Sequence, residues 1–213
     1  MKKLFVKIKE KTINILSPYV IKHYENKERH KLQNEDFTIL CSNCIGGIIY
    51  NRLGMKFLSP TVNMWMSQRD FIKFSTNLRH YILQPLIFVD SAEDTPVAKC
   101  DDILLHFNHH NNQDEAQKDW EKRKTRINYD NVYIIFYNRE AEHLSLEEIR
   151  EIEKSNCKNV ACLTSIPLPL EYAVEMNPNK RLLGAYFIDK DIFGVRTFEK
   201  QWDFVNWLNS EKL

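Results

Sequence analysis

Cys41-Ser42-Asn43-Cys44 is the first stretch of this chain whose residue types and spacing could do chemistry. Two thiols three positions apart, after an apolar run and before a helix-like segment, suit a redox pair or half of a zinc site. The second half of a zinc site is missing, because Cys157 and Cys162 are separated by four residues. Gly46-Gly47 directly after Cys44 weakens the helix start that a redox motif relies on. Cys41 reads more simply as a small apolar residue ending a strand. Cys44, in the loop, stands either as a nucleophile or as an inert buried thiol. Asn43 and the amides around Gly46 and Gly47 have the chemistry to stabilise an oxyanion or hold a phosphate.

A second constellation runs from Asp101-Asp102 through His106 to His109-His110. Alternation along a strand puts Asp102, Leu104 and His106 on one face. His106 is then expected as a general base, with Asp102 orienting it. Three histidines in five residues also suggest a metal, but no second spaced ligand set accompanies them, and none is assigned. A third group, Trp120, Arg123 and Arg126, recurs every three residues and leans to one side of a helix. Two guanidiniums at that spacing could grip an anionic donor or acceptor. The alternative is a solvated helix end with Trp120 in the core.

Elements must position these groups. Phe37–Cys41 reads as a buried strand, Ile48–Leu53 as a helix stopped by Gly54, and Thr61–Met66 as extended. Ser67 should cap one helix from Gln68 to about Leu83, with Phe71, Phe74, Leu78, Tyr81 and Ile82 on its inner face. Leu86–Val89 reads as a buried strand, residues 90–96 as a polar loop, and Asp102–Phe107 as a strand. Asp114 to about Arg126 is a helix acidic at its start and basic at its end. Val132–Tyr137 and Asn159–Thr164 are strands, and Ser145-x-x-Glu148 opens a helix to about Lys154. Leu183–Ile188 is expected as a late strand and Phe198–Leu208 as a C-terminal helix. Strands alternate with helices, and several are apolar on both faces. The expected fold is therefore three-layer α/β, a mainly parallel sheet flanked by helices.

Residues 1–35 form a basic helical leader with nine Lys/Arg against four Asp/Glu, and residues 36–213 a single α/β domain. Pro18 should split the leader into two helices. Leu4, Ile8, Ile15 and Leu16 form a broken apolar stripe among its lysines, so either the helix packs on the domain with its lysines in solvent, or residues 1–16 lie on an anionic membrane surface. No stretch reaches a membrane span, and Lys7, Lys9 and Lys11 interrupt any signal-peptide core, so the expected location is cytoplasmic. A net charge of +1 argues against bulk attraction to nucleic acid.

Three stretches carry a family resemblance: Ser42–Tyr50 with Leu53-Gly54 and Leu58-Ser59-Pro60; Asp102 through His106 to His109; and Trp120-x-x-Arg123-x-x-Arg126-Ile127-Asn128. Together they resemble a bacterial domain-of-unknown-function family often labelled exopolysaccharide or capsular polysaccharide biosynthesis protein. The resemblance spans roughly residues 36 to 200. It implies a setting in cell-surface polysaccharide assembly, with transfer of an acyl group to a sugar or lipid-linked saccharide as the suggested reaction. Ser59, His109 and Trp120, inside the matching stretches, are then expected beside the ligand. An acyl-CoA would be the matching donor; the sequence names no cofactor. A non-catalytic partner holding a phosphate or nucleotide-sugar is the alternative, and a thiol redox protein the third reading.

Overall fold

The computed structural model describes residues 2–138, 144–176 and 186–210, with the side chains of α1 described from Ile15 onward. Four strands build a parallel sheet: β1 (Thr38–Cys41), β5 (Val132–Tyr137), β6 (Asn159–Thr164) and β7 (Ala173–Glu175), in the order β1-β5-β6-β7. β5 is Val-Tyr-Ile-Ile-Phe-Tyr and is buried at every position, as an internal parallel strand covered on both faces must be. One face packs Leu40, Ile134 and Phe136 against Phe71, Phe74 and Trp120; the other packs Ile39, Tyr133 and Ile135 against Ile49, Phe198 and Phe204. The three-layer α/β arrangement is thus present.

Between β1 and β5 lie α2 (Ile45–Leu53), α3 (Gln68–Thr76), α4 (Leu78–Leu83), strands β2 (Ile87–Val89), β3 (Val97–Cys100) and β4 (Ile103–His106), and α5 (Gln113–Lys124). β2, β3 and β4 form a separate antiparallel sheet. Its β3–β4 hairpin turns at Asp101-Asp102, where Asp101 takes φ 55°, a left-handed conformation aspartate tolerates. β2 is an edge strand, and Ile87 and Val89 face outward rather than into a core, contrary to the reading of Leu86–Val89 as buried. Alternation in β4 reads correctly: Ile103 and Leu105 point in, while Leu104 and His106 point out.

Ser67 does cap α3, its hydroxyl accepting from Asp70 N at 3.1 Å. The single helix expected to Leu83 is broken at Asn77, whose φ −124°, ψ 38° lies outside the helical region, so its inner face continues on α4. Segment 61–66 forms no strand; Trp65 makes one antiparallel bridge to His106. That segment instead covers the open edge of β1. Thr38 donates to Leu58 O at 3.0 Å, Cys41 N donates to Thr61 Oγ1 at 2.9 Å, and Met66 N donates to Ser42 O at 3.3 Å.

After β5 come α6 (Leu146–Arg150), opened by the Ser145/Glu148 capping box, and a 3-10 turn Glu151–Lys154. The expected strand Leu183–Ile188 has residues 183–185 outside the described ones, and Tyr186–Ile188 is a 3-10 turn. The expected C-terminal helix is two short ones, α7 (Thr197–Gln201) and α8 (Phe204–Asn209), because Asp203 starts a new cap with its carboxylate accepting from Asn206 N.

α1 (Lys2–Lys31) is one helix, with Pro18 inside it. Contacts on both sides of that position hold it: Ser17 Oγ donates to Phe193 O at 2.9 Å, and Tyr24 Oη donates to Glu199 O at 3.2 Å. Beneath α1, the Arg52 guanidinium on α2 joins Glu25 Oε1 (3.2 Å), Gly194 O (2.7 Å) and the fully enclosed carboxylate of Glu199 (2.5 Å). One half-buried, paired guanidinium thereby ties α1, α2 and α7 together.

Candidate functional site

The carboxyl end of β1 runs through Ser42 and Asn43 into Cys44, the N-cap of α2. Asn43 Oδ1 accepts from Ile45 N at 2.9 Å and from Cys41 Sγ at 3.3 Å, which turns the chain and starts the helix. Cys41 is enclosed, and burial pushes its thiol up to about 12 even though the amides of Asn43, Gly46 and Ile45 face the sulfur. A redox pair needs a readily ionised thiol, so Cys41 is a poor half of one.

Those contacts correct the reading of the paired glycines. Gly46 and Gly47 lie within α2, and the Gly46 amide is turned toward Cys41 rather than toward solvent. A Cβ on Gly46 would meet Cys41 Cβ at 2.9 Å and Ile39 Cγ2 at 3.3 Å; one on Gly47 would meet Val62 Cγ1 at 3.1 Å. They are close-approach positions that seat α2 on β1 and the edge-covering segment.

Cys44 points the other way. Its Sγ lies 3.3 Å from His109 Nε2, on the loop that follows β4. Burial raises its pKa, while the Asn108 side chain and the Arg196 guanidinium pull it down. A half-buried thiol beside an exposed imidazole, at the carboxyl end of a parallel sheet, has the layout of a nucleophile with its base.

His106 sits elsewhere. Its Nδ1 bonds Glu93 Oε1 at 2.7 Å, and its ring stacks on Trp65 at 3.8 Å between centroids, 13° from parallel. Asp102 does not orient it: the two lie at opposite ends of β4, roughly 13 Å apart along an extended strand. Asp102 instead accepts from Lys73 Nζ and Tyr81 Oη, each at 2.7 Å, and the Lys73 ammonium holds its carboxyl below the usual range. The carboxylate partner of His106, Glu93, comes from the loop before β3 and had no sequence signal beyond its charge.

Nor does the third constellation converge on the site. Arg123 is buried; its Nη1 donates to Val62 O at 2.7 Å, its Nη2 pairs with Asp119 at 2.5 Å, and its guanidinium lies 5.4 Å from the Phe57 ring centre. Arg126 donates to Phe57 O at 2.9 Å. Both arginines clamp the segment that covers β1. Trp120 is a core residue at 1% exposure, and Ser59 is enclosed with its hydroxyl 3.1 Å from Thr61 Oγ1. These four positions build the scaffold rather than line an opening.

Arg196, ahead of α7, is a residue that sequence reasoning missed; its guanidinium donates to Ile188 O at 2.5 Å and acts on Cys44 through space. Nothing in its neighbourhood flagged it, because its partner is 152 positions away by number. Among the described residues no group of three or more His, Cys, Asp or Glu is placed to hold a metal ion. A cavity of about 280 Å³ lies at the opposite, amino end of the sheet, lined by Asn77, Arg79, Tyr129, Val132 and Cys157 among others, and holds none of the expected site residues.

Comparison with known proteins gives a relative in Haemophilus influenzae Rd, described as "Uncharacterized protein", 30% identical over 184 residues covering 85% of this chain and 88% of that one. A family model described as Domain of unknown function (DUF1919) matches residues 3–209, and the chain belongs to that family.

Proposed function

We propose that this protein is an acyl-transferring enzyme of bacterial cell-surface polysaccharide assembly, with Cys44 as nucleophile and His109 as its base. The observation that carries the chemistry is the 3.3 Å contact between Cys44 Sγ and His109 Nε2. The polysaccharide setting rests on the resemblance of the three sequence stretches. Cys44 Sγ attacks the carbonyl of a thioester donor such as acyl-CoA, and His109 Nε2 accepts the thiol proton. The donor's carbon–sulfur bond breaks, and its thiolate leaves with that proton. A sugar hydroxyl then attacks the S-acyl group, gives its proton to His109 and releases the Cys44 thiol. Asn108 and Arg196 supply donors and positive charge beside the sulfur.

Incubation of the purified protein with acetyl-CoA, followed by peptide mass spectrometry, tests the first step. An acetyl adduct is expected on Cys44, and none at that peptide in Cys44→Ala. A wild-type protein that stays unmodified would sink the covalent mechanism and leave ligand binding without turnover as the function.

A further inference from the structure

The four apolar side chains Ile15, Leu16, Tyr19 and Val20 of α1 are 57%, 47%, 72% and 37% exposed. They sit one turn apart, a spacing that puts them on one side of the helix. That side is not the one α1 uses to dock. Its packing face is made by Ser17 on Phe193, Ile21 against the Gly194 backbone, Tyr24 on Glu199, and Glu25 with Arg52. α1 thus packs on the domain as one of the two readings expected, but not through Ile15 or Leu16.

Residues 1–14 hold five lysines against one glutamate, a local excess of four positive charges. Toward the other end, the exposed surface turns polar at Lys22, His23, Asn26 and Lys27. α1 spans 30 residues, roughly 45 Å, yet no described helix is long and apolar enough to cross a membrane. An exposed apolar patch of four side chains next to a lysine-rich run of sequence fits the surface of an anionic bilayer, with the patch among the acyl chains and the positive charge drawn to the headgroups.

We infer that α1 is a peripheral membrane-binding helix that lies on anionic lipid through Ile15, Leu16, Tyr19 and Val20. This inference is independent of the chemistry assigned to Cys44. A soluble thiol enzyme and a membrane-bound one would have the same Cys44–His109 contact.

Co-sedimentation of the full-length protein with phosphatidylcholine vesicles, with and without a quarter phosphatidylglycerol, tests it. Binding is expected to the anionic vesicles, to weaken at least tenfold when salt shortens the screening length, and to be lost in the Leu16→Glu, Tyr19→Glu double variant. Both positions are exposed, so the variant should keep the wild-type melting temperature. Anionic-vesicle binding unchanged by the double substitution would overturn the inference, as would no binding by the wild type. If analytical ultracentrifugation instead shows a wild-type dimer that the substitutions convert to monomer, with no vesicle binding by either, a second copy covers the stripe and the inference fails.

Discussion

Cys44 Sγ stands 3.3 Å from His109 Nε2, a contact between residues 65 positions apart. It joins the N-cap of α2 to the loop after β4, two places the chain reaches by separate routes. His109→Ala should slow acylation of Cys44 at neutral pH by about 10² to 10⁴, the range of a lost general base. His106→Ala should leave the same rate within its order of magnitude, because Glu93 and Trp65 occupy that imidazole. Stopped-flow thiol release from the donor separates the two; a larger loss in His106→Ala would return the base role to His106.

Gly46→Ala should destabilise the protein although alanine is the better helix former. The added methyl would sit 2.9 Å from Cys41 Cβ and 3.3 Å from Ile39 Cγ2, both on a strand with no room to withdraw. Overpacking of this kind costs about 1–3 kcal/mol, against a helix-propensity gain of about 1 kcal/mol. Urea unfolding midpoints at constant m measure the net loss. An unchanged or raised midpoint would mean α2 can lift off β1.

Arg123→Ala should cost about 2–3 kcal/mol of stability, less than the loss of a partner in a fully buried pair, because Asp119 is partly exposed. The loss comes from Val62 O left without its donor and from Asp119 losing the guanidinium, with His110 Nε2 still 3.2 Å from its carboxylate. Arg123→Lys should recover only part, since one ammonium cannot reach both partners in the guanidinium's geometry. Thermal unfolding reads this directly. A variant with wild-type stability but weakened anion binding would restore the ligand role for the arginine pair.

Alkaline pH should destabilise the fold through buried thiols. Burial raises Cys41 and Cys162 from 9.0 to about 12 and Cys100 from 9.0 to about 11. The unfolded chain releases these protons first. The stability they contribute is therefore whole below pH 9 and falls as pH climbs toward the folded values, by about 1.4 kcal/mol per unit for each thiol in that window. Chemical unfolding followed between pH 8 and 11, at constant ionic strength, should show a steeper decline in wild type than in Cys41→Ala. Parallel curves would mean water reaches Cys41.

Periodicity and residue type were enough for β1, β5, β6, the Ser67 and Ser145 caps, the Gly54 stop and the inner face Phe71–Ile82, because each rests on neighbours within one or two turns. The antiparallel sheet was half legible: β4 showed its alternation, while Val97–Cys100 carries a lysine and a cysteine and gave no run to read. Helix ends at Asn77 and Asp203 were missed because both lie within apolar spacing that continues across the break.

Sequence by itself determined the chemistry on offer: a loop thiol at Cys44, imidazoles at 106 and 109, and a strand–loop–helix at which a parallel sheet presents its ligand end. Only the tertiary structure decided which imidazole meets the thiol, since that depends on how the 42–131 insertion folds back across β1. It also decided that Trp120, Arg123 and Arg126 face inward. Helical spacing gives a common side but not its direction, and burial against the segment covering β1 chose it. The paired glycines were visible as an exception in a glycine-poor chain. Whether their missing side chains make room for a ligand or for a strand is a matter of what lies 3 Å away, and there it is Cys41 and Val62.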